Sequence, residues 1–145
     1  MKNTFDELER SAWGGFLATH SALTKSIEKD LQDRCKLTHN EFEILLRLSQ
    51  AENGRLRIQD IAAKSILTRS GTSRMVERLE KAGFLNREQA PEDKRGAYAQ
   101  LSEFGREKFK EAANGHIELV KRKFLNKLGQ QELEQLASIW RRLGE

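Results

Sequence analysis

Between Thr68 and Arg74 the chain reads Thr-Arg-Ser-Gly-Thr-Ser-Arg, and further on it reads Asp93-Lys94-Arg95-Gly96. These are donor groups suited to an anionic partner. An arginine presents a planar fork that grips a phosphate or the paired acceptors on a guanine edge, and Ser and Thr hydroxyls serve either target. Little else in the sequence assembles reaction chemistry. His20, His39 and His116 are widely separated, and there is no His-Glu-x-x-His, no phosphate-binding glycine-rich loop and no pair of cysteines for zinc. The residues therefore suggest a binding protein, not an enzyme, with no cofactor.

Those donors need elements to aim them. Thr68 is placed to cap a helix running to Lys81 or Ala82, with Met75, Val76 and Leu79 facing inward and Gly83 as its stop. A short helix from Ile58 to about Lys64 precedes it, with Ile61 and Ala62 inward and Ile66 and Leu67 filling the turn. After it, Phe84 to Glu88 and Ala97 to Leu101 are short segments that fit an antiparallel hairpin, tipped by Pro91 to Gly96. Helix, turn, polar helix and basic wing form the order that reads double-stranded DNA: the second helix enters the major groove and a cationic tip reaches the minor groove. On this reading Arg69, Ser70, Thr72, Ser73 and Arg74 address the major groove and its phosphates, Lys94 and Arg95 serve the wing, and Gly71 lets the backbone come close. Arg78 and Arg87 either reach phosphates or pair with Glu77, Glu80, Glu88 or Asp93, and Arg57 and Lys64 are peripheral phosphate candidates or a solvated face. The plainer alternative is a well-capped polar helix start followed by a charged turn in which Asp93 braces Arg95.

The flanks look helical. Thr4 and Glu7 have capping-box spacing, and Leu8, Ala12, Phe16, Leu23, Ile27 and Leu31 then form one stripe, interrupted by Gly14-Gly15 as a bend or a close approach. A second capping box, Thr38 and Glu41, opens a helix with Phe42, Leu45, Leu46 and Leu48 inward, ended by Ala51 to Gly54. Ser102 can cap a long fifth helix with a stripe from Phe109 to Leu128, and a last helix from about Gln130 carries Leu133, Leu136, Ala137, Trp140 and Leu143. These terminal stripes exceed what a small DNA-reading core can cover, which implies a homodimer in preference to a closed intramolecular bundle.

The fold class is therefore mainly α with a small β-hairpin wing, a winged helix-turn-helix. One unit spans 1–145, with 1–36 and 102–145 as dimerisation helices and 37–101 as the DNA-binding region. Composition agrees. The net charge is +4, the single proline favours helix, and the single cysteine, Cys35, rules out an intramolecular disulfide. No apolar run approaches the ~20 residues needed to span a bilayer, and the start lacks a secretory core, so the expectation is a cytoplasmic protein without membrane contact.

Several stretches together resemble the MarR family of bacterial transcriptional regulators: Leu37 to Leu45, Ile58 to Ala62, Ser70 to Phe84, Asp93 to Gly96 and Leu101-Ser102. Most specific is Arg-Leu-Glu-Lys-Ala-Gly at Arg78 to Gly83 followed by Asp-Lys-Arg-Gly at Asp93 to Gly96. The resemblance implies a winged-helix homodimer joined by its first and last two helices, with the helix from Thr68 in the major groove and Arg95 in the minor groove. It also implies a repressor of nearby genes, acting on a pseudo-palindromic operator and released when a small aromatic compound binds between the two regions. Ser102 stands where the family often has Thr, and Gly129 where a serine commonly caps the last helix. Trp13, Phe16 and His20, on neighbouring turns of the first helix, are the candidates for the effector site, and a dimer core explains them equally well. Some relatives sense oxidants through a cysteine near the start of the first helix, whereas Cys35 lies at its end between Arg34 and Lys36, leaving a redox-sensing regulator as an alternative. The other alternative is a helical dimeric interaction module without DNA binding, which would lack salt-dependent affinity for a duplex.

Overall fold

A computed structural model describes residues 4–63 and 68–144, Arg69 by its backbone alone. Lys64, Ile66 and Leu67, expected at the end of the short helix and in the turn, lie outside the described residues. In chain order the elements are α1 (Glu7–Cys35), α2 (His39–Gln50), β1 (Arg55–Arg57), α3 (Ile58–Ala63), α4 (Arg69–Lys81), β2 (Leu85–Gln89), β3 (Ala97–Leu101), α5 (Glu103–Lys123) and α6 (Gln130–Leu143). Packing divides the chain into two units, Leu31–Asn114 and the combined Met1–Asp30 and Gly115–Glu145. The expected seams at 36/37 and 101/102 fall at helix ends, whereas packing divides α1 and α5 along their lengths. Both helices are long enough to serve two units, which a reading based on helix termini does not register.

In the Leu31–Asn114 unit, α2 opens with the expected capping box. Thr38 Oγ1 accepts from the Glu41 N–H at 3.2 Å and a Glu41 carboxylate oxygen accepts from the Thr38 N–H at 2.9 Å. Phe42, Ile44, Leu45 and Leu48 are buried along α2, each such burial being worth roughly 1.5–3 kcal/mol against exposure. Asn53 (φ 58°) and Gly54 (φ 66°) then turn the chain left-handedly into β1. This strand was not anticipated: a three-residue Arg-Leu-Arg is too short to show a period, and pairing with β3 creates it. The sheet order is β1-β3-β2, all antiparallel, with Arg57 opposite Tyr98 and Leu85 opposite Leu101.

The helix-turn-helix is closed at both ends of α4. Thr68 Oγ1 accepts from the Gly71 N–H at 3.1 Å. At the other end Gly83 takes φ 86°, and the Phe84 N–H donates back to the Leu79 carbonyl at 2.9 Å, satisfying an end carbonyl of the helix. Ser102 links this stop to α5: its hydroxyl donates to the Gly83 carbonyl and accepts from the Gly105 N–H at 2.9 Å.

In the second unit, α1 starts with a capping box built by Asp6 and Glu9, at 2.8 and 2.9 Å, and not by Thr4 and Glu7. Both pairs have the required spacing, and Asp is as good an N-cap as Thr. The helix runs unbroken through Gly14-Gly15, neither of which has a neighbour within 4 Å of an added Cβ. The expected stripe is uncovered at its start, where Leu8 is 79% and Phe16 45% exposed, half-buried at Leu23 and Ile27, and buried at Leu31; Trp13, off that stripe, is 51% exposed, and α6 buries none of its residues. Among the described residues no helix is long and apolar enough to cross a membrane.

Candidate nucleic-acid interface

The 3.6-residue period of α4 sorts its side chains into two faces. Thr72, Val76 and Leu79 stand in one buried row, while Ser70, Arg74, Glu77 and Lys81 are exposed and Ser73 is half-buried. Thr72 therefore leaves the set of expected DNA-facing hydroxyls. It lies one turn before Val76 on the inward row, and its Oγ1 is enclosed with no hydrogen-bond partner. Its residue type suggested an exposed hydroxyl, but its place on the helical wheel decides otherwise. Thr68 Oγ1 and Ser70 Oγ lie 3.2 Å apart, so the cap and the first exposed hydroxyl of α4 share one polar corner. Arg69 is the first residue of α4.

Arg78 is also placed differently from expectation. Its Nε and Nη2 donate to the two carboxylate oxygens of Glu41, not to Glu77, Glu80, Glu88 or Asp93. The Glu41 side chain is 3% exposed and that of Arg78 49%. The hydrogen bond to Glu41 raises the guanidinium above its already high ordinary pKa, with desolvation opposing and charge attraction adding to the rise. This forked pair ties α4 to the first turn of α2, so Arg78 holds the recognition helix in place. A contact between residues so distant in sequence carries no periodic signal. Arg87 pairs with Glu80 at 3.5 Å, one of the partners anticipated for it.

The wing is ordered by its own acids. Asp93 accepts from the Arg95 N–H at 3.0 Å, which is the anticipated brace, and the Gln89 amide donates to the Lys94 carbonyl at 2.9 Å. The Tyr98 hydroxyl donates to Glu92 at 2.6 Å, and that bond, ahead of the other causes, holds the Glu92 carboxyl below its ordinary pKa. The Arg55 guanidinium sits 4.4 Å from the Tyr98 ring centroid and Arg57 sits 5.6 Å from it. Lys94 and Arg95 are exposed, and neither they nor Arg74 form an ion pair among the described residues. Between α3, α4 and the wing lies a cleft of about 280 Å³, walled by Arg57, Gln59, Ser73, Arg87 and Arg95 among others. Gln59 was missed, having no charge to draw notice. No group of His, Cys, Asp and Glu that could hold a metal occurs among the described residues.

In the other unit Trp13, Phe16 and His20 stack in succession, with ring centroids 5.7 and 6.2 Å apart. Phe16 also meets Trp140 of α6 at 6.0 Å, a neighbour not anticipated. A groove of about 380 Å³ is lined by Phe16, His20, Leu23, Phe124, Leu136 and Trp140, with Trp13 outside its wall. Cys35, in the Leu31–Asn114 unit, is buried, and its thiol donates to the Lys108 carbonyl at 3.7 Å. That burial opposes the exposed, cation-activated thiol a redox sensor needs.

The likenesses to known proteins agree with this geometry. Residues 37–96, which hold the capping box of α2, the helix-turn-helix and the wing tip, match the model of the MarR family. AbsC, a MarR family transcriptional regulator from Streptomyces coelicolor, is 33% identical, superposes with a TM-score of 0.88, and is covered over 96% of its chain by 99% of this one. Sco3205, a MarR family transcriptional regulator from the same organism solved in complex with DNA, is 29% identical with a TM-score of 0.88, over 100% of this chain and 91% of that one. The HTH-type transcriptional regulator YfiV of Bacillus subtilis (strain 168) is 29% identical over 81% of this chain and 72% of its own. With a capped helix-turn-helix, a basic wing and, in AbsC, a 33% identical relative covered over 96% of its length, the chain belongs to the MarR family of winged helix-turn-helix transcriptional regulators.

Proposed function

We propose that the protein acts as a homodimeric repressor on a pseudo-palindromic operator, with Arg69, Ser70, Ser73 and Arg74 at the major groove and Lys94 and Arg95 at the minor groove. The carrying observation is that the exposed face of α4 and the wing tip offer hydroxyls and guanidinium groups without internal ion pairs at Arg74 and Arg95. Donors left unpaired on a fold of this kind are suited to phosphates and base edges. Two copies are favoured by the exposed Leu8, Leu17, Ile139 and Leu143 of the terminal helices, and a two-fold pair of recognition helices reads half-sites about 34 Å apart. The stacked aromatics at Trp13, Phe16, His20 and Trp140 suit a flat aromatic effector whose binding releases DNA.

The test is fluorescence anisotropy on the gene's own upstream intergenic DNA across a salt series, with an unrelated duplex of equal length as control. Preferential, salt-sensitive binding is expected, and Arg95→Ala should cost about 1–3 kcal/mol of that preference. Equal affinity for both duplexes, or an Arg95→Ala variant with unchanged preference, would refute sequence reading by these residues. Adding benzoate-type acids to the same assay reads effector release, which His20→Ala should abolish.

A further inference from the structure

If α4 lies in a major groove and Arg95 in the adjacent minor groove, the sugar-phosphate strand that separates the two grooves must cross the gap between them. That gap is the cleft bounded by α3, α4 and the wing, and its wall carries three guanidinium groups, Arg57, Arg87 and Arg95, together with Gln59 and Ser73 and no carboxylate. The acids paired with these arginines are Glu92 and Asp93, at 3.4 and 3.9 Å from Arg57, and Glu80, at 3.5 Å from Arg87, and none of the three lines the cleft.

Arg57 is the informative residue. Its side chain is only 20% exposed; its Nε is enclosed without a hydrogen-bond acceptor among the described residues, and its Nη2 has only the long ion-pair contacts to Glu92 and Asp93. Gly96 makes room for it, since a Cβ there would come within 2.8 Å of Nη2. An enclosed guanidinium with one donor unmet and its carboxylates too far off for good hydrogen bonds is costly, and an external anion would complete it. Among the described residues the wall holds no aromatic ring on which a base could stack and no carboxylate, and its apolar side chains are Ile58 and Ala97. Its chemistry thus fits a tetrahedral oxyanion and not a nucleobase.

We propose that this cleft seats a phosphate of the DNA strand running between the two grooves, gripped by Arg57 and Arg87, with Ser73 and Gln59 donating to the remaining oxygens. The assignment rests on the DNA-binding reading and adds to it a sequence-independent anchor that sets how far the wing reaches. In the free protein Glu92 and Asp93 hold Arg57 loosely, and the phosphate takes their place.

The experiment is anisotropy of the full-length protein on a mixed-sequence duplex of about 30 bp, comparing wild type with Arg57→Gln/Arg87→Gln over a salt series. Loss of one phosphate contact per protomer, hence two per dimer, should flatten the slope of log affinity against log salt by about 1.8 and lower affinity by at least about tenfold at low salt. Arg57→Lys/Arg87→Lys, which keeps the charges, should restore most of the slope. Glu92→Gln/Asp93→Asn provides a second readout that leaves every cation in place. A seat predicts tighter duplex binding in that variant, whereas an Arg57 that serves only to brace the wing predicts weaker binding, which would overturn the proposal. A wild-type slope retained by the double arginine variant overturns the seat alone, while a wild type with no salt-dependent binding overturns the DNA reading and the seat with it. Thermal stabilisation by millimolar inorganic phosphate at fixed ionic strength, lost in the arginine variant while its duplex slope is unchanged, would assign the cleft to a free anion and overturn the DNA assignment.

Discussion

Replacing Arg78 with alanine tests how the recognition helix is held. Glu41 is buried, and its acceptors are met by the Thr38 N–H and by two donors of the Arg78 fork. Without Arg78, an enclosed carboxylate keeps one backbone donor. Breaking a fully buried pair costs about 3–5 kcal/mol, but half of Arg78 is in water and solvent can enter where it leaves, so we expect about 2 kcal/mol. For a chain of this size that lowers the melting temperature by about 4–8 °C at fixed protein concentration. Alkaline pH is no lever here, because a cation whose folded pKa is raised keeps its contribution until pH climbs through the raised value. A double-mutant cycle with Glu41→Ala should give a coupling of about 1–2 kcal/mol. The same cycle on the exposed Glu77–Lys81 pair, 3.2 Å apart on the same helix, should give a few tenths. Equal couplings in the two cycles would refute the argument. So would an Arg78→Ala variant of unchanged stability whose DNA salt slope fell, since that would place Arg78 on a phosphate.

Two further outcomes follow from local geometry. A Cβ on Gly105 would stand 1.8 Å from the Phe84 carbonyl oxygen and 2.7 Å from its carbon, both backbone atoms, so Gly105→Ala should cost more than about 3 kcal/mol in a thermal or denaturant melt, and a melt within 1 kcal/mol of wild type would show that α5 can slide. Glu92 has its pKa lowered, chiefly by the Tyr98 hydroxyl, so the stabilisation from that bond is complete above the ordinary carboxyl pKa and disappears only as pH falls through the lower folded value. Tyr98 is the sole tyrosine, so its ring carbon signals in an NMR pH titration should report a midpoint below 4.5; a midpoint at or above 4.5 would contradict the bond.

Helices with a strong period were legible. The inward rows at Phe42, Leu45 and Leu48 and at Val76 and Leu79 follow from spacing alone, as do the Thr38 and Thr68 caps and the Gly83 stop, because all are set by residues within a turn or two of one another. Strand β1 was not, since Arg55–Arg57 has no pattern of its own and becomes a strand by pairing with β3. The same locality explains the errors at the interface. Thr72 has the chemistry of a reader and the phase of a core residue, and only counting it against Val76 and Leu79 separates the two. The Glu41–Arg78 fork joins two family-like motifs that were read separately, although Glu41 belongs to one and Arg78 to the other.

The wing shows how far charge type alone can mislead. Glu92 and Asp93 look like dilution of a basic tip, yet they build it: one receives the Tyr98 hydroxyl, the other the Arg95 N–H, and both stand by Arg57. Side-chain oxygens at the base of the wing order it while Lys94 and Arg95 keep no ion pair among the described residues, so cationic reach at the tip depends on hydrogen-bond acceptors beneath it, which Gln and Asn would also supply. For a protein with a net charge of only +4, this arrangement matters more to DNA affinity than overall basicity does. A screened excess of four charges spread over the surface gives weak attraction, whereas any guanidinium group brought against a phosphate releases counterions at that contact.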